Sequence, residues 1–186
     1  MSEAERKPNL ERQAAFLIAT TRRASLATRL AGSEQAGVQA AFPYISLVLL
    51  APDARGLPFL LLSDLSEHAK NLQADPALAL LLEQTADKPD PLAEPRLTFL
   101  GEASQVIDAK AAEPLREAFV AAHPRSEPWA RFTDFKPYRL NCRNLHFVAG
   151  FGRIAWLSPD RVIQHLSLAS DAGASDAGAS DAGNGG

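Results

Sequence analysis

Cysteine is almost absent from this chain of 186 residues, which contains only Cys142. A single thiol excludes an intrachain disulfide and any metal cluster built from several cysteines. Strong charge of one sign is also missing: 19 basic residues, scattered along the chain, face 22 acidic ones, and the net charge is −3. Such a balance gives no support to non-specific binding of nucleic acid.

Long hydrophobic runs are missing as well. No apolar segment approaches the length that crosses a bilayer, and the charged start Met1–Lys7 lacks the apolar region of a signal peptide. We therefore expect a cytoplasmic protein without a membrane or nucleic-acid partner, and the sequence indicates no metal site.

The composition is that of an ordinary globular protein, with 46% hydrophobic and 22% charged residues. The length predicts one domain, residues 1–168, with enough chain to bury a substantial core. Residues 169–186 repeat Ser-Asp-Ala-Gly-Ala and end in Asn-Gly-Gly. Such a segment cannot bury enough apolar surface to offset its ordering entropy, so we predict a disordered tail without an assigned function.

Hydrophobic periodicity predicts many strands and a few helices. Strands are expected at 24–28, 42–51, 58–62, 77–83, 96–107, 136–148 and 153–157, and helices at 9–20, from Ser66 to before Pro76, at 108–122 and at 126–132. Pro114 predicts either a break in the third helix or its true start. Gly101 marks a bulge or a close backbone approach within its strand. This pattern indicates an α+β, mainly β, barrel-like domain.

The stretch from Leu60 to Pro76 predicts a buried strand, a polar turn and a short helix. Ser66 is the expected N-cap, with its hydroxyl accepting from an amide of the first turn. Four polar or basic residues surround this junction of strand and helix: Ser63, Ser66, His68 and Lys70. Free amides and the helix dipole favour an anion here. The alternative is a capped surface helix with a solvated lysine.

Short motifs in a fixed order resemble the pyridoxamine-phosphate-oxidase-like, FMN-binding split barrels, and most closely their HugZ-type haem-utilisation branch. They lie at 22–28, 43–48, 62–76, 91–101, 123–124, 132–135 and 150–153. The resemblance implies a split β-barrel with short flanking helices and a homodimer with the cofactor at the subunit interface. The apolar character of both faces of strand 42–51 supports that interface.

The resemblance also implies a set of cofactor-binding residues: Arg23, Ser25, Leu62, Ser63, Ser66, His68, Lys70 and Arg96. Arg23, with Arg22 beside it, would reach the phosphate from a strand next to Leu62–Ser63, unless the two form a surface pair. Arg96 would lie near the flavin ring and tune its potential. The alternative for Arg96 is a salt bridge at the rim, with Glu94 as a candidate partner.

Two departures from the oxidase pattern restrict the expected function. The oxidases carry a basic Ser-Arg-Lys run where this chain has Ser66-Glu67-His68, and an imidazole is a weaker anion partner than an ammonium group near pH 7. A histidine is usual there in the HugZ-type branch. The oxidases also grip pyridoxal with Arg-Leu-His, whereas this chain has Arg153-Ile154-Ala155. True pyridoxamine-phosphate oxidase activity is therefore not expected.

Three functions remain open at this point. The first is an FMN-dependent oxidoreductase acting on an unidentified small molecule, with no catalytic residue nominated. The second is a haem-binding or haem-degrading protein, for which His68, His123, His146 and His165 are the available histidines. Most of these are expected to be structural, with His165 a speculative ligand. The third is a binding or regulatory protein that kept the barrel and lost its cofactor.

Overall fold

The computed structural model describes residues 3–32, 37, 41–83 and 90–166, and the predicted tail 169–186 lies outside them. The strands are β1 (Arg23–Arg29), β2 (Pro43–Pro52), β3 (Pro58–Ser63), β4 (Ala77–Glu83), β5 (Arg96–Gln105), β6 (Phe135–Val148) and β7 (Ile154–Leu157). The α-helices are α1 (Glu3–Thr20), α2 (Glu67–Ala74), α3 (Ala109–Ala122) and α4 (Glu127–Ala130), with one-turn 3-10 helices at Pro91–Ala93 and Pro124–Ser126. Residues 159–166 form a further helical segment.

Six antiparallel strands close into a barrel in the order β3-β2-β1-β4-β5-β6, because β3 also pairs with β6. β7 pairs with the end of β6 and extends the sheet outside the closed ring. The predicted fold class, a mainly β split barrel with short flanking helices, is confirmed. Within the described residues, no helix is both long enough and apolar enough to cross a membrane.

The barrel interior is filled by alternate residues of every strand, as the period of two in a pleated strand requires. Its fully buried side chains include Leu26, Leu50, Leu60, Leu80, Leu97, Leu145 and Phe147. The helical period of the sequence places Leu10, Ala14, Leu17 and Ile18 on one face of α1 and Glu11 on the other. The four apolar residues join the same core, but Glu11 is buried instead of exposed. Its neighbour one turn on, Ala15, is buried too, so the covered stripe of α1 is wider than the sequence indicated.

A second hydrophobic cluster lies between the barrel wall and two helices. Phe59 and Leu61 of β3 pack there against Leu115 and Phe119 of α3 and Ala130 of α4. Arg116 joins these elements, because its guanidinium donates to the carbonyl oxygens of Ala130 and Phe135, at 2.6 and 2.5 Å.

α3 begins before Pro114, the residue that one of the two sequence-based predictions gave as its start. Asp108 is the N-cap, and its carboxylate accepts a hydrogen bond from the amide of Ala111 at 2.8 Å. Pro114 lies inside one unbroken helix. Both readings of Pro114 were wrong, since the Asp108 side chain caps the first turn and the helix continues past Pro114 to Ala122.

Large apolar side chains cover the outside of the barrel. One register row joins neighbouring strands pair by pair and runs through Leu47, Ser25, Leu81, Thr98, His146 and Trp156. Directly paired residues share a face of the sheet, so these side chains lie on one side of it. Ile45 and Leu47 are each 69% exposed and Trp156 is 62% exposed. We call the surface formed by Ile45, Leu47, Leu49, Leu81, Ile154 and Trp156 the outer apolar face.

Gly101 provides a test of the barrel geometry. The pairing of β5 with β6 shifts register between Leu100 and Gly101, and a Cβ atom at Gly101 would lie 2.2 Å from the carbonyl oxygen of Asn141. We expect Gly101→Ala to lower the free energy of unfolding by about 3 kcal/mol, because backbone must move to make room. Urea denaturation followed by fluorescence measures the change.

Gly152→Ala is the matched control, since Gly152 has a φ of +71° but open space around it. We expect Gly152→Ala to lower the free energy of unfolding by about 1 kcal/mol, from backbone strain alone. An equal or larger loss in Gly152→Ala than in Gly101→Ala would contradict the close approach at Gly101.

Candidate cofactor groove

The groove begins where two barrel strands part. β2 and β3 pair only through Leu50, Ala51 and Pro52 with Leu60, Phe59 and Pro58. Beyond Leu60, β3 continues to Ser63 on β6 alone. The opening between the strands is a groove of about 270 Å³. Its walls come from β2, β3, the start of α2, α3, α4 and β6, and its lining residues are Leu47, Val48, Leu49, Leu61, Leu62, Ser63, Ser66, His68, Phe119, Trp129 and Phe135.

Four of the eight predicted cofactor residues line this groove: Leu62, Ser63, Ser66 and His68. The hydroxyls of Ser63 and Ser66 both form hydrogen bonds within the chain. Ser63 Oγ donates to Asp134 Oδ2 at 2.5 Å and accepts from the amide of Leu65 at 3.2 Å. Ser66 Oγ donates to the carbonyl oxygen of Ser63 at 2.7 Å.

Ser66 occupies the N-cap position of α2, but its side chain makes no capping hydrogen bond. The predicted hydroxyl cap was wrong, because the Ser63 carbonyl takes the hydroxyl instead. The start of α2 consequently presents backbone amides without a side-chain cap. α2 ends before Pro76, as predicted, with Asp75 as its C-cap.

His68 is the titratable side chain of the groove wall, and it is half-buried. Burial lowers its pKa below the ordinary value for histidine. Burial therefore favours the uncharged imidazole, which offers a lone pair to a metal but no charge to a phosphate. Lys70, predicted to supply that charge, lies outside the lining and forms an ion pair with Glu67, with Nζ 2.7 Å from Oε1.

A second chamber of about 590 Å³ adjoins the groove. Leu49 and Trp129 line both spaces, and Ala122, His123, Pro124, Arg125 and Ser126 complete the second. His123 is the C-cap of α3, which agrees with the predicted end of this helix at residue 122. Its Nε2 donates to the carbonyl oxygen of Leu50 at 2.9 Å, so this ring fixes the chamber wall.

The other predicted cofactor residues lie outside the groove. β1 pairs with β2 and β4, so the expectation that Arg23 begins a strand beside Leu62–Ser63 was wrong: β2 lies between them. Arg23 is exposed opposite Leu49, and with Arg22 it lines a separate pocket of about 350 Å³. Ser25 lies on the outer apolar face, beside Leu47 and Leu81.

Arg96 begins β5, and its NH1 group donates to the carbonyl oxygen of Leu92 at 2.8 Å. Its register partners are Glu83 and Val148, which places it on the same side of the sheet as the outer apolar face. The predicted set is thus divided between the groove and the outside of the barrel, and Lys70 belongs to neither.

The aromatic walls of this site were not predicted from the sequence. Phe119 and Trp129 contact each other edge to face, with ring centroids 5.9 Å apart, and Trp129 lies 4.7 Å from Phe135. The predicted helices at 108–122 and 126–132 contained Phe119 and Trp129, but nothing in their local pattern indicated that they pack over the opening between β2 and β3.

The remaining candidate ligands fill structural positions. His146 stacks on Trp156 with ring centroids 4.7 Å apart. Burial raises the pKa of Cys142 to about 12, so this side chain is a thiol at neutral pH. Within the described residues, no group of three or more histidine, cysteine or acidic side chains is placed to hold a metal ion.

A family model described as CREG, beta-barrel matches residues 6–163. The chain belongs to this family. The predicted resemblance to the pyridoxamine-phosphate-oxidase-like split barrels and their haem-utilisation branch is confirmed as well. Among solved structures, the family member described here is similar to a haem-binding protein from Mycobacterium smegmatis, with a TM-score of 0.72, 24% identity, and coverage of 83% of this chain and 60% of the other.

Two further relatives extend the comparison. A putative pyridoxamine 5'-phosphate oxidase from Listeria innocua shares the fold at a TM-score of 0.54 and 17% identity, over 75% of this chain and 98% of that one. The chloroplastic non-canonical heme oxygenase HOZ of Arabidopsis thaliana is 35% identical over 109 residues, 59% of this chain. The match covers 32% of that relative's length. At these identities the two solved structures show the fold alone.

The lowered pKa of His68 leads to a prediction about pH. Protonation of His68 costs more in the folded than in the unfolded protein, so its contribution lowers stability as the pH falls below about 6.5 and leaves it unchanged above. We expect His68→Gln to lose less stability than the wild type between pH 7 and pH 5. Urea denaturation at a series of pH values measures this, and the histidine ring resonances give the pKa directly. A His68 pKa at or above 6.5 would contradict the burial.

Proposed function

We propose that this protein binds haem in the groove between β2 and β3, with His68 as the candidate iron ligand. The observation that supports the proposal best is the half-buried imidazole of His68 in a groove whose other walls are mainly apolar and aromatic. Haem needs flat apolar walls for the macrocycle and a nitrogen, sulfur or oxygen donor for its iron. Two similar proteins, the haem-binding protein from Mycobacterium smegmatis and the heme oxygenase HOZ, point in the same direction.

The residues present fit this group by their chemistry. Leu47, Leu49, Trp129 and Phe135 supply apolar surface on the two sides of the opening. His123 is less suited to iron, since its Nε2 is hydrogen-bonded to Leu50. A bound haem would supply redox chemistry at its iron, whereas the chain would bind the macrocycle, orient it and exclude water from one side.

Titration with haemin tests the proposal. We expect a red-shifted Soret band in the wild type and a loss of affinity of tenfold or more in His68→Ala, since an iron–imidazole bond is lost. His165→Ala is the matched control, because His165 lies in segment 159–166 and lines neither chamber. A wild-type protein without a Soret shift would overturn the proposal, and equal affinities in the two variants would remove His68 from the iron.

FMN binding, as an oxidoreductase on a small-molecule substrate, is the second candidate function. The uncapped first-turn amides of α2, next to Ser63 and Ser66, favour it, because such amides bind phosphate. The engaged hydroxyls and the Glu67–Lys70 ion pair weigh against a tight dianion site. Quenching of flavin fluorescence on titration with FMN, reduced in Arg23→Ala and Lys70→Ala, would favour this candidate over haem.

A homodimer formed through the outer apolar face is part of the proposal. Six large apolar side chains exposed on one side of the sheet mark an interaction surface, and Leu47 and Leu49 belong both to this face and to the groove wall. A second copy would therefore close the open side of the groove. It would also bring Arg23, Ser25 and Arg96, the predicted residues on the outside of the barrel, to an interface that borders the groove.

Sedimentation velocity at micromolar concentration tests the dimer. We expect the wild type to sediment as a dimer and Ile45→Glu as a monomer, because burying a carboxylate in an apolar interface is costly. Ile107→Glu is the control: Ile107 is 88% exposed in the segment after β5, outside the outer apolar face. A monomeric wild type, or a dimer that survives Ile45→Glu unchanged, would contradict this interface.

A further inference from the structure

We infer that the second chamber, lined by Leu49, His123, Arg125 and Trp129, receives the acidic edge of the ligand and that Arg125 binds its carboxylates. This inference rests on the proposed function, because it takes haem as the occupant of the first groove. It assigns an orientation to the bound macrocycle and a specificity-determining role to a residue outside the predicted set.

The groove and the second chamber share two lining residues, Leu49 and Trp129. We therefore expect a flat ligand that binds beside His68 to extend past these side chains into the chamber. The first groove, at about 270 Å³, is smaller than a porphyrin with its substituents. The adjoining chamber is the larger of the two and provides the missing room.

The lining of the second chamber contains one permanently charged side chain, Arg125, and no carboxylate. Among the described residues, the Arg125 guanidinium has neither an ion pair nor a hydrogen-bond partner. Ser126 is already engaged, because its hydroxyl donates to the carbonyl oxygen of His123 at 2.7 Å. Arg125 is therefore the side chain with donors to spare for a ligand.

The two adjoining spaces thus differ in chemistry. One is lined by the imidazole of His68, and the other by the exposed guanidinium of Arg125 beside apolar side chains. Arginine binds carboxylates with two parallel hydrogen bonds. A planar apolar ligand with acid groups on one edge complements this arrangement, whereas an uncharged planar ligand leaves Arg125 without a partner.

The experiment compares haemin with its dimethyl ester, in which the carboxylates are masked, on the wild type and Arg125→Gln. We expect Arg125→Gln to weaken binding of haemin about tenfold and to change binding of the ester little, because the strong charge-assisted hydrogen bonds of a guanidinium require an ionised carboxylate. Soret absorbance gives the dissociation constants, and Arg125→Lys should recover part of the loss. Arg161→Gln is the matched control, since Arg161 is exposed in segment 159–166 and lines neither chamber.

The possible failures can be told apart. Haemin affinity that stays the same in Arg125→Gln and Arg161→Gln, with a normal wild-type Soret band, overturns this inference and leaves the proposed function standing. An equal loss for haemin and for the ester in Arg125→Gln also overturns it, because the effect would not depend on the carboxylates. A wild type that binds neither compound overturns the proposed function and this inference together.

Discussion

Backbone hydrogen bonding at the point where β2 and β3 separate governs the architecture of this protein. A strand that leaves its neighbour must find other partners for its amides and carbonyls. β3 finds them on β6, with which it pairs from Phe59 to Ser63. At the point where β2 leaves β3, the carbonyl oxygen of Leu50 accepts a hydrogen bond from Nε2 of His123. The barrel is thereby closed by β6, while its wall stays open between β2 and β3.

That opening forms the candidate groove. It collects side chains from six elements, and most of them are apolar because they continue the packing of the second hydrophobic cluster. The polar groups within it are already committed, apart from His68 and the amides at the start of α2. Unpaired charge is costly to bury in a space of this character.

The sequence was sufficient to predict most of the elements, because their signals are local. The strand 77–83, the end of α2 before Pro76 and the bulge at Gly101 depend on near neighbours and were predicted correctly. The side-chain partners were not predictable in this way. The hydroxyl of Ser63 is taken by Asp134, and that of Ser66 by a carbonyl three residues back, so neither plays the part that its residue type suggested.

The long-range arrangement of strands and helices was the other feature that could not be predicted from the sequence. The motifs around Arg23 and Ser63 were correctly associated with one family, but only the strand order shows that β2 separates them in a single chain. Trp129 and Arg125 carried no motif at all. Their place at the groove follows from how α3 and the short helices after it fold back over β2 and β3, which depends on tertiary packing.

The Arg116 guanidinium has a consequence for the kinetics of ligand binding. By holding the carbonyls of Ala130 and Phe135 together, it fastens the end of α4 to the start of β6, the two elements that carry Trp129 and Phe135. The spacing of these aromatic rings is thus set before any ligand arrives. A pre-organised wall loses little conformational entropy on binding, so differences in affinity among ligands of this groove should appear chiefly in their dissociation rates.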